Sequence, residues 1–134
     1  MTRYLLDTNH AGALMRENPT VASKIAALTD VELNVCIPCV GELWFMVFNS
    51  GREDANRVKL LTLLASLRIV EFGEVEAEEF GRIRIELRRL GRPIPQIDAQ
   101  IAAIARTGGY TLATADTHFN HVAGIAIENW LAVP

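Results

Sequence analysis

The sequence predicts an α/β fold in which a parallel sheet is covered by helices on both faces. Short apolar segments that favour strands alternate along the chain with longer segments of helical periodicity. The strand segments are too apolar for a sheet with one face in water, and this is typical of parallel strands buried between helices. Such sheets bind ligands just outside the carboxyl ends of their strands. We therefore expect any functional site at that edge.

Length and composition indicate one folded domain. A chain of 134 residues can bury a core of its own. Half of the residues are apolar and 22% are charged, which excludes a disordered chain. The net charge of -3 argues against broad electrostatic coating of nucleic acid, although it permits a local basic patch. No segment resembles a signal peptide or a membrane span, so we expect a cytoplasmic protein that has no contact with membranes.

The first strand and two helices are predicted within the first 30 residues. The segment RYLLDTN contains an apolar run that reads as a central strand and delivers Asp7 at its carboxyl end. A helix follows from about Asn9. The segment TVASKIAALTD carries an apolar stripe at helical spacing behind Thr20, which predicts a second helix with Thr20 as its cap.

The next strand and two more helices are predicted from the segments VELNVCI, CVGELWFMVFNSG and DANRVKLLTLLASL. VELNVCI favours a strand, and Pro38 suits the first turn of the following helix because its missing N–H costs nothing there. This helix continues to a stop at Gly51 and places Glu42 about one turn from its start. The third segment predicts an amphipathic helix capped by Asp54.

The second half of the chain predicts three strands and two helices. RIVEF favours a short strand, and the longest helix follows from about residue 74 to residue 90. Two prolines then interrupt the chain before a helix from about Gln96 to Thr107, which ends at a glycine pair. YTLATAD predicts a strand that ends at Asp116, and GIAIENW predicts the last strand.

Two cysteines with C-x-x-C spacing, Cys36 and Cys39, allow three interpretations: a redox motif, half of a zinc site or core packing. A tetrahedral zinc site needs two further ligands, and the candidates His10, His118 and His121 include no pair spaced four residues apart. A thioredoxin-like motif needs its first cysteine at a helix start with an exposed thiolate, whereas the residues between the two cysteines here are Ile37 and Pro38. We therefore expect buried thiols that pack at a strand-to-helix turn.

Four acidic residues stand in apolar surroundings, whereas acids such as Glu76 have charged neighbours. Asp7 and Asp116 each follow a strand, and Glu42 and Asp98 each lie near the start of a helix. Taken singly, Asp7 and Asp98 are explained as helix caps and Asp116 as a turn residue. As a group, the four acids would gather at one edge of the sheet. Two carboxylates about 4 Å apart repel by about 4 kcal/mol at an effective dielectric near 20. Such a cluster raises its pKa values or recruits a cation.

The predicted cation is magnesium or manganese. All four candidate ligands are carboxylates, with no cysteine or imidazole placed to join them, and such oxygen ligands select these ions over zinc. One or two of these ions would polarise a phosphate and activate water, so the expected reaction is phosphodiester hydrolysis. Thr8, Asn9 and Thr114 lie beside the strand-end acids. They either orient the acids and their waters by hydrogen bonds or serve as ordinary turn residues.

Four segments together resemble the PIN domain family: YLLDTN, GEL, GRPIPQIDAQIAAIA and TLATADTHFNHVAGIAIENW. The chain looks most like the VapC and FitB-like toxins of bacterial toxin-antitoxin pairs, and the resemblance runs from end to end. It implies a single PIN domain over residues 1–134, built as a three-layer α/β/α sandwich with a mostly parallel sheet of about five strands. It also implies a homodimer and a Mg²⁺- or Mn²⁺-dependent endoribonuclease toxin that a cognate VapB-like antitoxin holds inactive.

The resemblance assigns the site residues one by one. Asp7 matches the family's acid after the first strand, Glu42 the glutamate of GEL, Asp98 the acid of D-x-x-I-A-A, and Asp116 the acid that follows T-x. The resemblance therefore implies that these four residues are both catalytic and metal-binding. Thr114 matches a threonine or serine that supports the last acid.

The sequence departs from the family pattern at three positions. Asn120 stands a helical turn beyond Asp116, where some relatives offer a further acid or polar group, so a second ion is less expected than the first. His10 and Ala11 replace small or aliphatic residues, and the sequence assigns no role to them.

Two other classes of function fit parts of the pattern. A phosphoacceptor-type or nucleotide-binding α/β domain also uses strand-end aspartates, but it needs a lysine after a late strand or a glycine-rich loop. The only lysines, Lys24 and Lys59, lie outside the strand ends. A catalytically inactive PIN-like interaction module is the other alternative, and the complete set of acids argues against it.

Two surface features have more than one interpretation. The basic run of Arg82, Arg84, Arg88, Arg89 and Arg92 is expected to be a solvated helix face, with an RNA-guiding surface as the alternative. The aromatic residues Trp44, Phe45 and Phe48 are expected mostly in the core, with docking of a partner subunit or an antitoxin segment as the alternative.

Overall fold

A computed structural model describes residues 1–132, which form a five-stranded sheet. The strands are β1 (Thr2–Leu6), β2 (Val31–Cys36), β3 (Arg68–Val70), β4 (Thr111–Ala113) and β5 (Ala126–Glu128). All neighbouring strands are parallel, in the order β3-β2-β1-β4-β5. The predicted parallel sheet is confirmed.

Helices alternate with these strands along residues 1–132. They are α1 (Thr8–Met15), α2 (Pro19–Ala26), α3 (Ile37–Phe48), α4 (Glu53–Ser66), α5 (Glu74–Arg89) and α6 (Gln96–Gly108). A short 3-10 turn spans Thr117–His121. No helix in this part of the chain is long and apolar enough to cross a membrane.

Both faces of the sheet are covered at its centre. Successive side chains of a strand point to opposite faces, yet Tyr4, Leu5 and Leu6 of β1 are all buried, as are Leu112 and Ala113 of β4. Burying one large apolar side chain in this way stabilises the fold by about 1.5–3 kcal/mol. The helices therefore enclose the sheet from both sides, which confirms the expected three-layer α/β/α arrangement.

The order of the strands brings together the chain segments that follow β1 and β4. These two strands are parallel neighbours, with Leu6 in register with Ala113. The N–H of Asp7 donates a hydrogen bond to the carbonyl of Ala113 over 3.1 Å. Asp7 and Thr114, the first residues after the two strands, thus lie side by side at the carboxyl edge of the sheet.

Two helices begin differently from the prediction. Asn18, rather than Thr20, caps α2, because its Oδ1 accepts the N–H of Thr20 over 3.0 Å and that of the next residue over 3.2 Å. Pro19 takes the first helical position, where its fixed φ favours the helix. Helix α4 begins at Glu53, so Asp54 lies inside the first turn and is not the cap. Its negative charge interacts favourably with the positive end of the helix dipole there.

Some element ends also differ from the prediction. Helix α3 ends at Phe48, before the expected stop at Gly51. Strand β4 ends at Ala113, so Asp116 lies beyond it and caps the 3-10 turn. The predicted glycine stop of α6 is confirmed, since Gly109 follows the helix in the left-handed conformation with φ 67°.

Core packing was predicted for the two cysteines and for most of the aromatic residues of α3. The structure confirms it for the cysteines but not for two of the aromatic residues. Cys36 and Cys39 are fully buried with their sulfur atoms 3.5 Å apart, as expected for packing residues. Phe45 and Phe48 are 63% and 56% exposed, so the expectation of core packing is wrong for these two side chains. Trp44 is half-buried and stacks on Phe48.

The basic run on α5 is divided between two environments. Arg82 forms ion pairs with Glu78 over 2.9 Å and with Glu79 over 3.6 Å, as a solvated helix face would. Arg84 and Arg88 instead line a surface cleft of 470 Å³. An RNA-guiding surface stays the alternative interpretation of the basic run.

Candidate metal centre

The four acids singled out in the sequence converge on one cleft of 330 Å³. The cleft opens where the chain leaves β1 and β4, as the strand-end rule predicts. Its polar lining consists of Asp7, Thr8, Asn9, Glu42, Asp98 and Asp116. A cleft that gathers four carboxylates has a high density of negative charge and favours a bound cation.

Asp7 is fixed from both sides of its carboxylate. It precedes α1 and caps that helix, because its Oδ1 accepts the N–H of His10 over 2.8 Å. Its Oδ2 accepts the hydroxyl proton of Thr114 over 2.5 Å. Only 5% of Asp7 is exposed, although the side chain lines the cleft. The sequence offered two alternative roles for Asp7, a helix cap and a residue of the site. The structure allows one side chain to have both.

Thr114 connects the two strand-end acids. While its hydroxyl donates to Asp7, the same oxygen accepts the backbone N–H of Asp116 over 3.0 Å. Thr114 itself is buried, so neither hydrogen bond has to compete with bulk water. The loop that carries Asp116 is thereby held against the end of β1.

Asp98 and Glu42 reach the cleft from two helices. Asp98 lies in the first turn of α6, where the helix dipole favours a carboxylate. Burial raises the pKa of Asp98, and the nearby charges of Asp116 and Asp7 raise it further, while a hydrogen bond with His118 acts in the opposite direction. Glu42 lies in α3 and is half-buried at the cleft wall.

An imidazole joins the carboxylates, and this was not predicted. His118 Nδ1 lies 3.2 Å from Asp98 Oδ2 and 3.1 Å from Asp116 Oδ1. The expectation that no imidazole is placed to join the acids is therefore wrong. The cause is local: Asp116 Oδ1 accepts the backbone N–H of His118 over 2.9 Å, and this tight turn brings the ring back to the carboxylates of Asp98 and Asp116.

The geometry of these three side chains fits a single divalent ion. One ligand atom from each of Asp98, Asp116 and His118 lies within 4.8 Å of the others. Ligand atoms about 2.1 Å from one ion are at most about 4.2 Å apart, so small side-chain rotations suffice to share it. Carboxylates suit magnesium and manganese alike, and an added imidazole nitrogen favours a transition-metal ion, which of these two is manganese.

Comparison with known proteins assigns the chain to a family. A sequence model described as the PIN domain matches residues 4–125. The chain belongs to the PIN domain family. The acid-lined cleft is thus a feature of a PIN domain, and the resemblance read from the sequence is confirmed.

Similar PIN proteins match this chain over nearly its whole length. It is 28% identical over 132 residues to Ribonuclease VapC2 of Haemophilus influenzae, covering 98% of this chain and 100% of the relative. It is 26% identical over 131 residues to the tRNA(fMet)-specific endonuclease VapC of Shigella flexneri, covering 97% and 99%. The crystal structure of VapBC2 from Rickettsia felis bound to a promoter DNA fragment is similar with a TM-score of 0.90 and 25% identity, covering 96% and 99%.

Proposed function

We propose that this PIN domain is a metal-dependent endoribonuclease and the toxin of a bacterial toxin-antitoxin pair. The observation that carries the proposal is the convergence of Asp7, Glu42, Asp98 and Asp116 on one cleft. Its support from outside the cleft is the full-length similarity to relatives named as VapC ribonucleases. The reaction is hydrolysis of an RNA phosphodiester bond by water, with Mg²⁺ or Mn²⁺ as cofactor.

In this proposal the four acids form the catalytic site and bind the ion. Asp98 and Asp116 hold it together with His118, and Asp7 and Glu42, which line the same cleft outside that group of three, complete its ligands. A divalent ion bound there would supply polarisation of the scissile phosphate and activation of the attacking water. Thr114 holds Asp7 and the Asp116 loop in fixed positions. Thr8 and Asn9 line the same cleft from the first turn of α1, where they are placed to hydrogen-bond water or the RNA backbone.

The two alternative functions find less support. A phosphoacceptor domain needs a cation from the protein near the acids, but Lys24 lies in α2, and Lys59 lies in α4 and lines a different groove. An inactive interaction module needs no cluster of mutually repelling carboxylates, and retaining one is unfavourable without a cation. The acid-lined cleft therefore favours the nuclease.

The direct test is cleavage of RNA by the purified protein. A mixture of structured and unstructured RNAs is incubated with Mn²⁺ or Mg²⁺, and new ends are mapped by sequencing. We expect cuts inside the RNA chains, as an endonuclease makes. RNA that stays intact under all of these conditions would contradict the proposed activity.

The assignment as a toxin is tested through its partner. We propose that the chain forms a homodimer and binds a VapB-like antitoxin, supported by the similarity to VapBC2. The gene immediately upstream should encode a short protein with a DNA-binding amino terminus. Co-expression of that protein should restore bacterial growth that this chain arrests, and failure to restore it would leave a solitary nuclease.

Removing the Thr114 hydroxyl should weaken metal binding. Thr114→Val keeps the shape of the buried side chain but deletes the donor to Asp7 and the acceptor for the Asp116 N–H. Groups that orient metal ligands typically contribute 10–100-fold to metal affinity, so we expect roughly that loss in Mn²⁺ affinity. Isothermal titration measures it. Thr114→Ser retains the hydroxyl and should bind nearly as tightly as the unaltered protein, and equal losses in both variants would contradict this role.

A further inference from the structure

His10 is fully buried beside the candidate metal centre, and the proposed chemistry does not use it. It lies in the first turn of α1, three residues after Asp7. Its ring Nδ1 is 3.1 Å from Asp7 Oδ1, and its Nε2 is 2.9 Å from the backbone nitrogen of Trp130. One buried imidazole thus joins a cleft carboxylate to a segment 120 residues away in the sequence.

The hydrogen bonds of the ring define its tautomer. A backbone N–H can only donate, so Nε2 of His10 must accept the proton of Trp130. The ring proton is then on Nδ1, from which it is donated to Asp7 Oδ1. A ring with a proton on Nε2 would direct it at the Trp130 N–H and lose a buried hydrogen bond.

These hydrogen bonds occupy most of the acceptor sites of the Asp7 carboxylate. Each carboxylate oxygen has about two acceptor sites. Oδ1 receives the backbone N–H and the ring N–H of His10, while Oδ2 receives the hydroxyl of Thr114. One acceptor site remains, on Oδ2. The three hydrogen bonds together oppose rotation of the carboxylate, and they leave Oδ2 as the oxygen that can meet a cation.

The contact of the His10 ring with the Trp130 backbone lies in the core. Trp130 is 2% exposed, and its ring packs edge-on against Tyr4 with centroids 5.0 Å apart. Its Nε1 donates to Glu128 Oε1 over 3.1 Å, and the Tyr4 hydroxyl donates to Glu128 Oε2 over 3.1 Å. The backbone N–H that holds the His10 ring is thus itself held by buried packing and by hydrogen bonds at the end of β5.

We propose that His10 is a positioning residue for Asp7, holding its carboxylate for metal binding through a ring that the Trp130 backbone fixes in the Nδ1–H tautomer. The inference rests on the proposed metal-dependent function, and it adds the ENW segment, which begins at the last residue of β5, to the support of the site. His10 acts through Asp7 and does not itself line the cleft.

Two amide substitutions separate the two contacts of the His10 ring, one with Asp7 and the other with Trp130. In His10→Asn the short amide can donate to Asp7 from the position of Nδ1 but does not reach Trp130. In His10→Gln the longer amide can accept from Trp130 at the position of Nε2 but loses the donor to Asp7. Each variant gives up one buried hydrogen bond, so we expect similar decreases in melting temperature. Exposed His121→Gln serves as the matched control.

Mn²⁺ affinity, measured by titration with electron paramagnetic resonance, should distinguish the variants. We expect roughly 10–100-fold weaker binding in His10→Gln, near-normal binding in His10→Asn and no change in His121→Gln. Equal affinities of the two His10 variants would overturn the proposal.

A second measurement needs no metal. Nitrogen-15 NMR of the His10 ring in the metal-free protein should show the proton on Nδ1, and a proton on Nε2 would overturn the proposal. If the unaltered protein binds no Mn²⁺, the proposed metal-dependent function fails, while the ring resonance still decides whether His10 holds Asp7.

Discussion

Asp98→Asn is expected to reduce RNA cleavage by roughly 1000-fold, because the variant loses a ligand of the ion that stabilises the transition state. This factor corresponds to about 4 kcal/mol of transition-state stabilisation. The substitution keeps the size and hydrogen-bonding shape of the side chain but removes the charge that would hold a divalent ion beside Asp116 and His118. Initial rates of RNA cleavage at saturating Mn²⁺ measure the loss.

The same variant should stay folded, which separates a chemical effect from a structural one. Burial and the charges of Asp116 and Asp7 disfavour the Asp98 carboxylate, and its pKa is raised despite the hydrogen bond with His118. A neutral amide relieves this repulsion in the metal-free protein. We therefore expect the melting temperature of metal-free Asp98→Asn to equal or exceed that of the unaltered protein.

The matched control changes an acid of the same type outside the cleft. Asp54 is exposed in the first turn of α4, so Asp54→Asn makes the same chemical change without altering the cleft. Its cleavage rate should equal that of the unaltered protein. Undiminished cleavage by rigorously purified Asp98→Asn would refute the assignment of this residue.

Much of the cleft could be predicted because it depends on topology more than on side-chain detail. Asp7 and Asp116 were found from their positions after apolar strands, since parallel strands deliver such residues to one edge. Glu42 and Asp98 were found because an acid among apolar neighbours near a helix start is unfavourable without a purpose. These rules use only the local sequence and the parallel order of the strands.

The two histidines could not be assigned in this way. His118 reaches the acids because a turn capped by Asp116 redirects its ring, and sequence spacing does not specify that direction. His10 depends on the backbone N–H of Trp130, a contact across 120 residues that no local pattern contains. Both roles arise from side-chain direction and tertiary packing.

The error at the start of α2 has a different origin. Both Asn18 and Thr20 are residue types that cap helices well. The intervening Pro19 decides between them, because proline favours the first helical position and so makes the residue before it, Asn18, the cap. The information was present in the sequence, and the rule for proline outweighs the preference for a threonine cap.

Removing divalent ions should abolish cleavage, and adding them back should restore it. With chelator present, the carboxylates that line the cleft have no cation to offset their repulsion or to polarise the substrate phosphate. Because the His118 imidazole lies among the donor groups, we expect Mn²⁺ to restore cleavage at lower concentration than Mg²⁺. Cleavage rates across a concentration series of each ion measure this preference.

His118→Ala tests the origin of that preference. It removes the nitrogen donor but leaves the carboxylates, so the advantage of Mn²⁺ over Mg²⁺ should shrink while some activity with either ion remains. His121→Ala, three residues further along the same turn and exposed, is the matched control and should keep the advantage. An unchanged preference in His118→Ala would show that the imidazole is not a ligand.

Thermal unfolding gives a reading of ion binding that is independent of RNA. An ion that binds only the folded protein stabilises it by about 2.7 kcal/mol at a concentration one hundred times its dissociation constant. For a domain of this length that corresponds to a rise in melting temperature of roughly 10 °C. Asp98→Asn should lose most of this rise, because the shared ligand is gone. Cleavage that survives chelation, together with a melting temperature insensitive to both ions, would contradict a metal-dependent nuclease and leave the acid-lined cleft without its proposed purpose.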